Sequence, residues 1–190
     1  MPSPSPPGAA PGGAVPRRAH SLELVLDAPS DAAVRDRWRL LEEAGVPSLA
    51  RHPGATHRPH VTVASGPRPI EEVLRTAARR LGPLLPLELP VAALALLGAP
   101  SRVTLVELVV PAGLLRTAQE ELAGLWPGAD DRPWLPHVTL AQRLNPGSVA
   151  RALEALGGGA AGAPTQRRAV SLRWWDPDSG TVTPVTDSQP

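Results

Sequence analysis

Apolar and polar positions along this chain switch repeatedly between the period of a strand and that of a helix. His20 to Ala28 (His-Ser-Leu-Glu-Leu-Val-Leu-Asp-Ala) alternates in part and predicts a first strand. Pro29-Ser30-Asp31 then reads as a helix start, with Val34, Trp38 and Leu41 at helical spacing and Gly45 and Pro47 as the stop. Leu49 to Arg58 is a loop rich in Pro, Gly and His, followed by a short strand, His60 to Ala64. Pro67 and Pro69 lead into a second helix with Ile70, Val73, Leu74, Ala77 and Leu81 on one face. Leu87 to Leu97 and Val103 to Val110 predict two strands joined around Gly98-Ala99-Pro100-Ser101. Leu114, Ala118, Leu122 and Leu125 mark a third helix, stopped by Pro127-Gly128. A strand from His137 to Ala141 comes next. Asn145-Pro146 opens a fourth helix through Val149, Leu153 and Leu156, and Gly157 to Pro164 is a loop. Gln166 to Trp175 and Gly180 to Thr186 predict a closing hairpin.

The order helix, short strand, Pro-initiated helix occurs twice, which points to an internal duplication. The fold class expected is α+β, with mainly antiparallel sheets and helices on their outer faces. Residues 1–19 are Pro, Ser, Gly and Ala with few apolar anchors, so they are expected to form a disordered tail. Residues 20–187 are expected to form one domain.

Both short strands begin with the same tetrapeptide, Pro-His-Val-Thr, at Pro59–Thr62 and Pro136–Thr139. Alternation puts His60 and Thr62 on one face and Val61 and Val63 on the other; His137 and Thr139 are likewise opposed to Val138 and Leu140. Each strand therefore offers an imidazole and a hydroxyl beside aliphatic groups for a core. Two imidazoles presented in this way are the parts needed for paired general acid and general base chemistry. A single His-x-Thr carries little information. Two copies in one strand context, each after Pro, carry much more.

On these residues the chain resembles the 2H phosphoesterase superfamily, in its 2′-5′ RNA ligase and cyclic phosphodiesterase branch. That superfamily is defined by two His-x-Thr/Ser-x motifs, here His60-Val61-Thr62-Val63 and His137-Val138-Thr139-Leu140. The resemblance covers about Ser21 to Val185. It implies two pseudo-symmetric lobes around a central cleft, with the last strands returning to the first lobe. It also implies that His60 and His137 are the acid–base pair and that Thr62 and Thr139 bind the phosphate, without assigning acid or base to either histidine. Hydrolysis of a cyclic phosphodiester needs a base for water and an acid for the departing ribose oxygen, roughly in line at phosphorus. An imidazole titrates near neutrality and suits both roles, and the hydroxyls are suited to donate to the non-bridging oxygens. No metal or other cofactor is required by this chemistry.

Composition narrows the field further. All 19 basic residues are Arg, and there is no Lys for a P-loop or for adenylation in a lysyl-AMP ligase. No Cys is present, which removes thiolate nucleophiles, disulfides and thiolate metal sites. Formal net charge is +1, so no strong global attraction to DNA or to an anionic membrane is expected. No apolar run approaches membrane-spanning length and no export signal is read, so a cytoplasmic monomer is expected. Tyr and Phe are absent, leaving Trp, His or Arg to stack on a base.

Arg143 shares parity with His137 and Thr139 and is a candidate phosphate clamp if its strand continues that far. Arg173, in the closing hairpin, is a weaker candidate. Trp134, just before the second motif, is a candidate base-stacking residue. Trp38 and Trp126 are expected in the core, and at most one of Trp174 and Trp175 faces a cleft. His52 and His57 lie in a loop with Pro53 and Gly54 and have no third ligand nearby, so no metal site is expected there. His20 is expected at the surface. The substrate expected is a small 2′,3′-cyclic nucleotide or an RNA 3′ end, with ATP-independent 2′-5′ ligation, the reverse reaction, as the alternative. A non-catalytic RNA or nucleotide binding module is the rival from another class. Retention of both histidines and both threonines argues against it, because binding alone needs no imidazole pair.

Overall fold

Strand follows helix in the computed structural model much as the pattern predicts, and the structure describes residues 19–51, 54, 56–99, 101–157 and 166–186. The expected tail up to residue 18, His52 and most of the Gly157–Pro164 loop lie outside the described residues. The elements are β1 (His20–Leu26), α1 (Ala28–Glu43), β2 (His60–Gly66), α2 (Glu71–Leu81), β3 (Leu87–Ala99), β4 (Arg102–Val109), α3 (Gly113–Leu125), β5 (His137–Leu144), α4 (Pro146–Gly157), β6 (Gln166–Asp176) and β7 (Thr181–Pro184). None of the described helices is long and apolar enough to cross a membrane.

Local chemistry explains the helix ends. The Asp27 side chain accepts the Ser30 N–H at 2.9 Å, so α1 starts earlier than Pro29 alone indicates. Gly45, at φ 69°, ends it, and its N–H donates to Glu42 O at 2.9 Å. The phase of α3 differs from the expectation. Leu115 is buried beside Ala118 and Leu122, while Leu114 is 70% exposed. The stripes through Leu114 and Leu115 are nearly equivalent in sequence, and packing selects one. Likewise Leu153 of α4 and Ile70, the residue capping α2, remain exposed.

All strand pairs are antiparallel, in the order β2-β1-β6-β3-β4-β5, with β7 on β6. The fold is thus α+β, a seven-stranded sheet with four helices. Strand β3 joins its halves. Leu87–Pro90 pair with β6, and Val91–Ala99 pair with β4. The last strands return to the first half, β6 lying between β1 and β3. Helices α2 and α3 pack over the β2–β6 half, and α1 and α4 over β5. Each half is therefore covered by one helix from each half of the chain, which interlocks the two lobes. Although β2 and β5 are the two ends of the strand order, they approach one another. The sheet is bent so that the motif strands meet across a central cleft.

A buried ion pair ties the halves on the core side. Arg167 of β6 donates to both oxygens of Glu107 of β4, at 2.9 and 2.7 Å, and Arg37 of α1 lies 2.9 Å from the same carboxylate. Pairing both oxygens is what makes burial of this carboxylate tolerable.

Candidate active site

The repeat is deeper in structure than in sequence. In β2, Leu22 stands opposite Ala64 but its neighbour Glu23 stands opposite Thr62, so Val63 is an extra residue, a β-bulge. In β5, Leu105 stands opposite Ala141 and Val106 opposite Thr139, so Leu140 is extra. Both bulges fall directly after the motif threonine. Each turns two consecutive apolar residues inward, Val63-Ala64 and Leu140-Ala141, all buried.

Both imidazoles are held in the same way. His60 Nδ1 lies 2.7 Å from Arg58 O, and His137 Nδ1 lies 2.6 Å from Leu135 O. A carbonyl oxygen can only accept, so Nδ1 carries hydrogen in each ring. The proton that can move is therefore at Nε2 in both. The intervening Pro59 and Pro136 restrict the preceding residues to extended backbone, which sets up this two-residue return.

Indole N–H groups complete the bulges. Trp134 donates to Thr62 O at 2.9 Å, and Trp38 donates to Thr139 O at 3.0 Å. A third, Trp126, donates to Pro67 O at 3.0 Å just beyond β2. Gly66 is needed there, because a Cβ would sit 3.0 Å from Ala129 Cα and 3.2 Å from the Trp126 ring. His57 stacks on Trp38 with ring centroids 5.2 Å apart. Trp38 and Trp126 are in the core, as expected.

The surroundings of the two histidines differ. Glu23, 4% exposed, stands across from Thr62 on one side and Arg173 on the other. Its Oε2 accepts from Arg173 Nε at 2.9 Å and lies 2.8 Å from Nη2. Its Oε1 accepts from Ser21 Oγ at 2.7 Å and lies 3.6 Å from His60 Nε2. In the other lobe the residues across from Thr139 and His137 are Val106 and Leu108. Glu23 was missed from sequence, although alternation with Leu22 and Leu24 already put a carboxylate on the polar face of β1.

Arg143 does not follow the alternation that would carry it into the cleft. Val103 pairs with Leu144 and Leu105 with Ala141, so Gln142 and Arg143 bulge together against Thr104. Arg143 has φ 60° and is exposed. Parity counted from Thr139 fails because two bulges intervene. Arg173 is not a free cation, being spent on Glu23 and on Thr56 O at 2.9 Å.

A cavity of about 560 Å³ opens beside the motifs, lined by residues that include Thr62, His137, Trp134, Gln119, Asp130 and Arg132. Arg132 Nε donates to Asp130 Oδ1 at 2.8 Å. Hydrogen bonds from the Arg132 side chain and backbone hold the Asp130 carboxyl down at about 2. A neighbouring cavity of about 520 Å³ shares Ser65 and Asp130 and reaches His20, Arg68 and Asp178.

His20 is buried rather than at the surface. Its Nδ1 is 3.6 Å from Asp176 Oδ1 and its Nε2 is 3.4 Å from Asp178 Oδ2, and its ring stacks on Trp174 at 5.8 Å. Flanking carboxylates and an indole draw it inward. Among the described residues, His20, Asp176 and Asp178 are the group whose ligand atoms are close enough to share a metal ion. Arg68 Nη1, 3.4 Å from Asp176 Oδ2, is a cation already placed against that group.

The family model of the 2′-5′ RNA ligase superfamily matches residues 29–179. No curated protein sequence matches the chain significantly. The fold is similar to that of Usb1 from Kluyveromyces marxianus, at 14% identity and TM-score 0.52, covering 89% of this chain and 98% of Usb1. The same protein with uridine monophosphate matches at 14% identity and TM-score 0.50, with the same coverage.

Proposed function

The chain belongs to the 2′-5′ RNA ligase superfamily, the 2H phosphoesterases, and from that premise we propose that it is a phosphodiesterase that opens 2′,3′-cyclic phosphates at the end of a nucleotide or short RNA. The observation that carries this reading is the matched pair of imidazoles. Both have Nδ1 committed to a backbone carbonyl, so both have Nε2 available for proton transfer, each beside a threonine hydroxyl on its own strand. One Nε2 takes the proton of the attacking water and the other supplies a proton to the departing ribose oxygen. Thr62 and Thr139 donate to the non-bridging oxygens, where charge is held in the transition state. The ring-strained cyclic ester has its leaving oxygen already aligned, so few groups suffice.

Trp134 offers an indole face along the cavity for a base even though its N–H is spent on Thr62 O. Uridine monophosphate in the Usb1 structure supports a nucleotide-sized occupant for the cleft. Ligation to a 2′-5′ bond is the same chemistry run backwards and needs no ATP.

The test is a side-by-side assay of 2′,3′-cyclic AMP, a short RNA ending in a 2′,3′-cyclic phosphate, a 2′-5′ linked dinucleotide and ordinary RNA, with product analysis. Preferred turnover of the cyclic ends, surviving EDTA, is expected. Preferential cutting of internal 3′-5′ linkages would refute the reading, and restoration of a chelated enzyme by a divalent ion would refute metal independence. Binding without turnover of any of the four would favour the non-catalytic module.

A further inference from the structure

Helix α3 buries one stripe of side chains, Leu115, Ala118, Gln119 and Leu122. Three of the four are apolar. The fourth is a glutamine 9% exposed, on a helix that packs against β2. A carboxamide withdrawn from bulk water needs a hydrogen-bond partner. Among the described residues none engages the side chain of Gln119. That side chain instead lines the cavity of about 560 Å³ beside the motifs. An amide so placed costs stability that a leucine in the same stripe would not.

Other polar side chains on the cavity wall are already engaged. Thr62 and His137 serve the phosphate in the reading above. Asp130 accepts from Arg132 Nε at 2.8 and 3.1 Å. Trp134 is fixed by its N–H on Thr62 O at 2.9 Å and has only its ring face to offer. Stacking on an indole is tolerant of base identity. A carboxamide presents a donor beside an acceptor, the pattern that reads a base edge. Resting on the phosphodiesterase reading above, we propose that Gln119 is the specificity-determining residue of this cleft. It hydrogen-bonds the edge of the nucleobase stacked on Trp134 while the phosphate lies between the two motif strands.

Binding tests this without turnover. The full chain is titrated calorimetrically with the four nucleoside 3′-monophosphates and with ribose 5-phosphate. The parent is expected to bind its best nucleotide about 10-fold more tightly than its worst, and Gln119→Leu to bring the four within about twofold. Equal affinities in the parent, no binding at all, or a spread that survives in Q119L overturns the proposal. So does a loss on ribose 5-phosphate as large as that on the nucleotides, because Gln119 would then act on the whole site rather than on the base. A parent that discriminates bases but turns over none of the assayed phosphodiesters keeps the base-reading role and removes the phosphodiesterase reading. A parent that opens cyclic ends but binds the four bases equally does the reverse.

Thermal melting gives the second readout. Replacing an unpartnered amide by an apolar side chain of similar size should hold or raise the melting temperature of Q119L. A fall of several degrees would show that the amide serves the fold, and would overturn the proposal. Gln119→Met keeps the length of the side chain and loses both hydrogen-bonding atoms, so it should level the four bases as leucine does. Levelling by leucine alone would trace the effect to shape rather than to hydrogen bonding, and would overturn the proposal as well.

Discussion

The two halves of the cleft share a backbone and differ in charge. Each has a Pro-His-Val-Thr strand, a bulge after the threonine, an Nδ1 tied to the carbonyl two residues back, and an indole on the threonine carbonyl. Around this shared frame the first lobe places Glu23, Ser21 and Arg173, and the second places Val106 and Leu108. The second lobe has its own buried glutamate, Glu107, one residue along from Val106. That single step turns its side chain to the core, against Arg167 and Arg37. Duplication of a frame supplies two imidazoles held in the same way, and divergence of the neighbouring strand gives them different surroundings.

The largest test of the symmetric part is removal of each histidine. His60→Ala and His137→Ala should each lower turnover by about 100- to 10,000-fold with the fold intact. Full activity in either, with unchanged circular dichroism, would remove that ring from the mechanism.

The glutamate of the second lobe separates stability from chemistry. Glu107→Gln should destabilise the protein by about 3–5 kcal/mol in urea unfolding, since it strands buried guanidinium groups. The remaining folded protein should keep its turnover. A stability equal to the parent's would show that this pair does not hold the halves together.

Next come the threonines. Thr62→Val and Thr139→Val should each lower kcat about 100-fold, and Thr→Ser should restore most of it, because the hydroxyl rather than the methyl donates to phosphate. A marked difference between the two positions would extend the asymmetry from the histidines to phosphate binding.

Trp38→Phe and Trp134→Phe each leave a threonine carbonyl without its indole donor, at a cost of about 1–3 kcal/mol. Trp38, the more deeply buried, should cost more. Equal melting temperatures for parent and variants would argue that the bulges are stable without their indole caps.

The smallest effect concerns acid. With its carboxyl held at about 2 in the folded protein, Asp130 contributes stability above the ordinary carboxylate range and loses it as pH falls toward 2. Its pair with Arg132 therefore stays ionised through neutral pH. Asp130→Asn should rescale the pH–rate profile without moving either limb, as overlay of the normalised profiles will show.

Alternation and helical spacing located every strand and α-helix among the described residues, because each amphipathic element carries its own period within a few residues. They also brought out His60, Thr62, His137 and Thr139, whose signal is a repeated tetrapeptide. The parity argument for Arg143 does not hold, for a definite reason. Parity counting assumes an unbroken pleat, and the bulges at Leu140 and at Gln142–Arg143 are set by cross-strand pairing with β4. His20 went inward because Asp176 and Asp178, more than 150 residues later in the chain, arrive on both sides of it. The stripe of α3 runs through Leu115 rather than Leu114 because of the surface it packs on.

The sequence by itself determined the order of the elements, the two motif strands and the histidine and threonine that each presents on one face, since these depend on contacts within a few residues. Only the tertiary structure decided that the two ends of one bent sheet meet, that the middle helices α2 and α3 cover one lobe while α1 and α4 cover the other, and that Glu23 stands beside His60 while Val106 and Leu108 face the other motif strand. Those are facts of register between strands far apart in sequence. Register is settled by the summed packing of whole faces, which no local window contains.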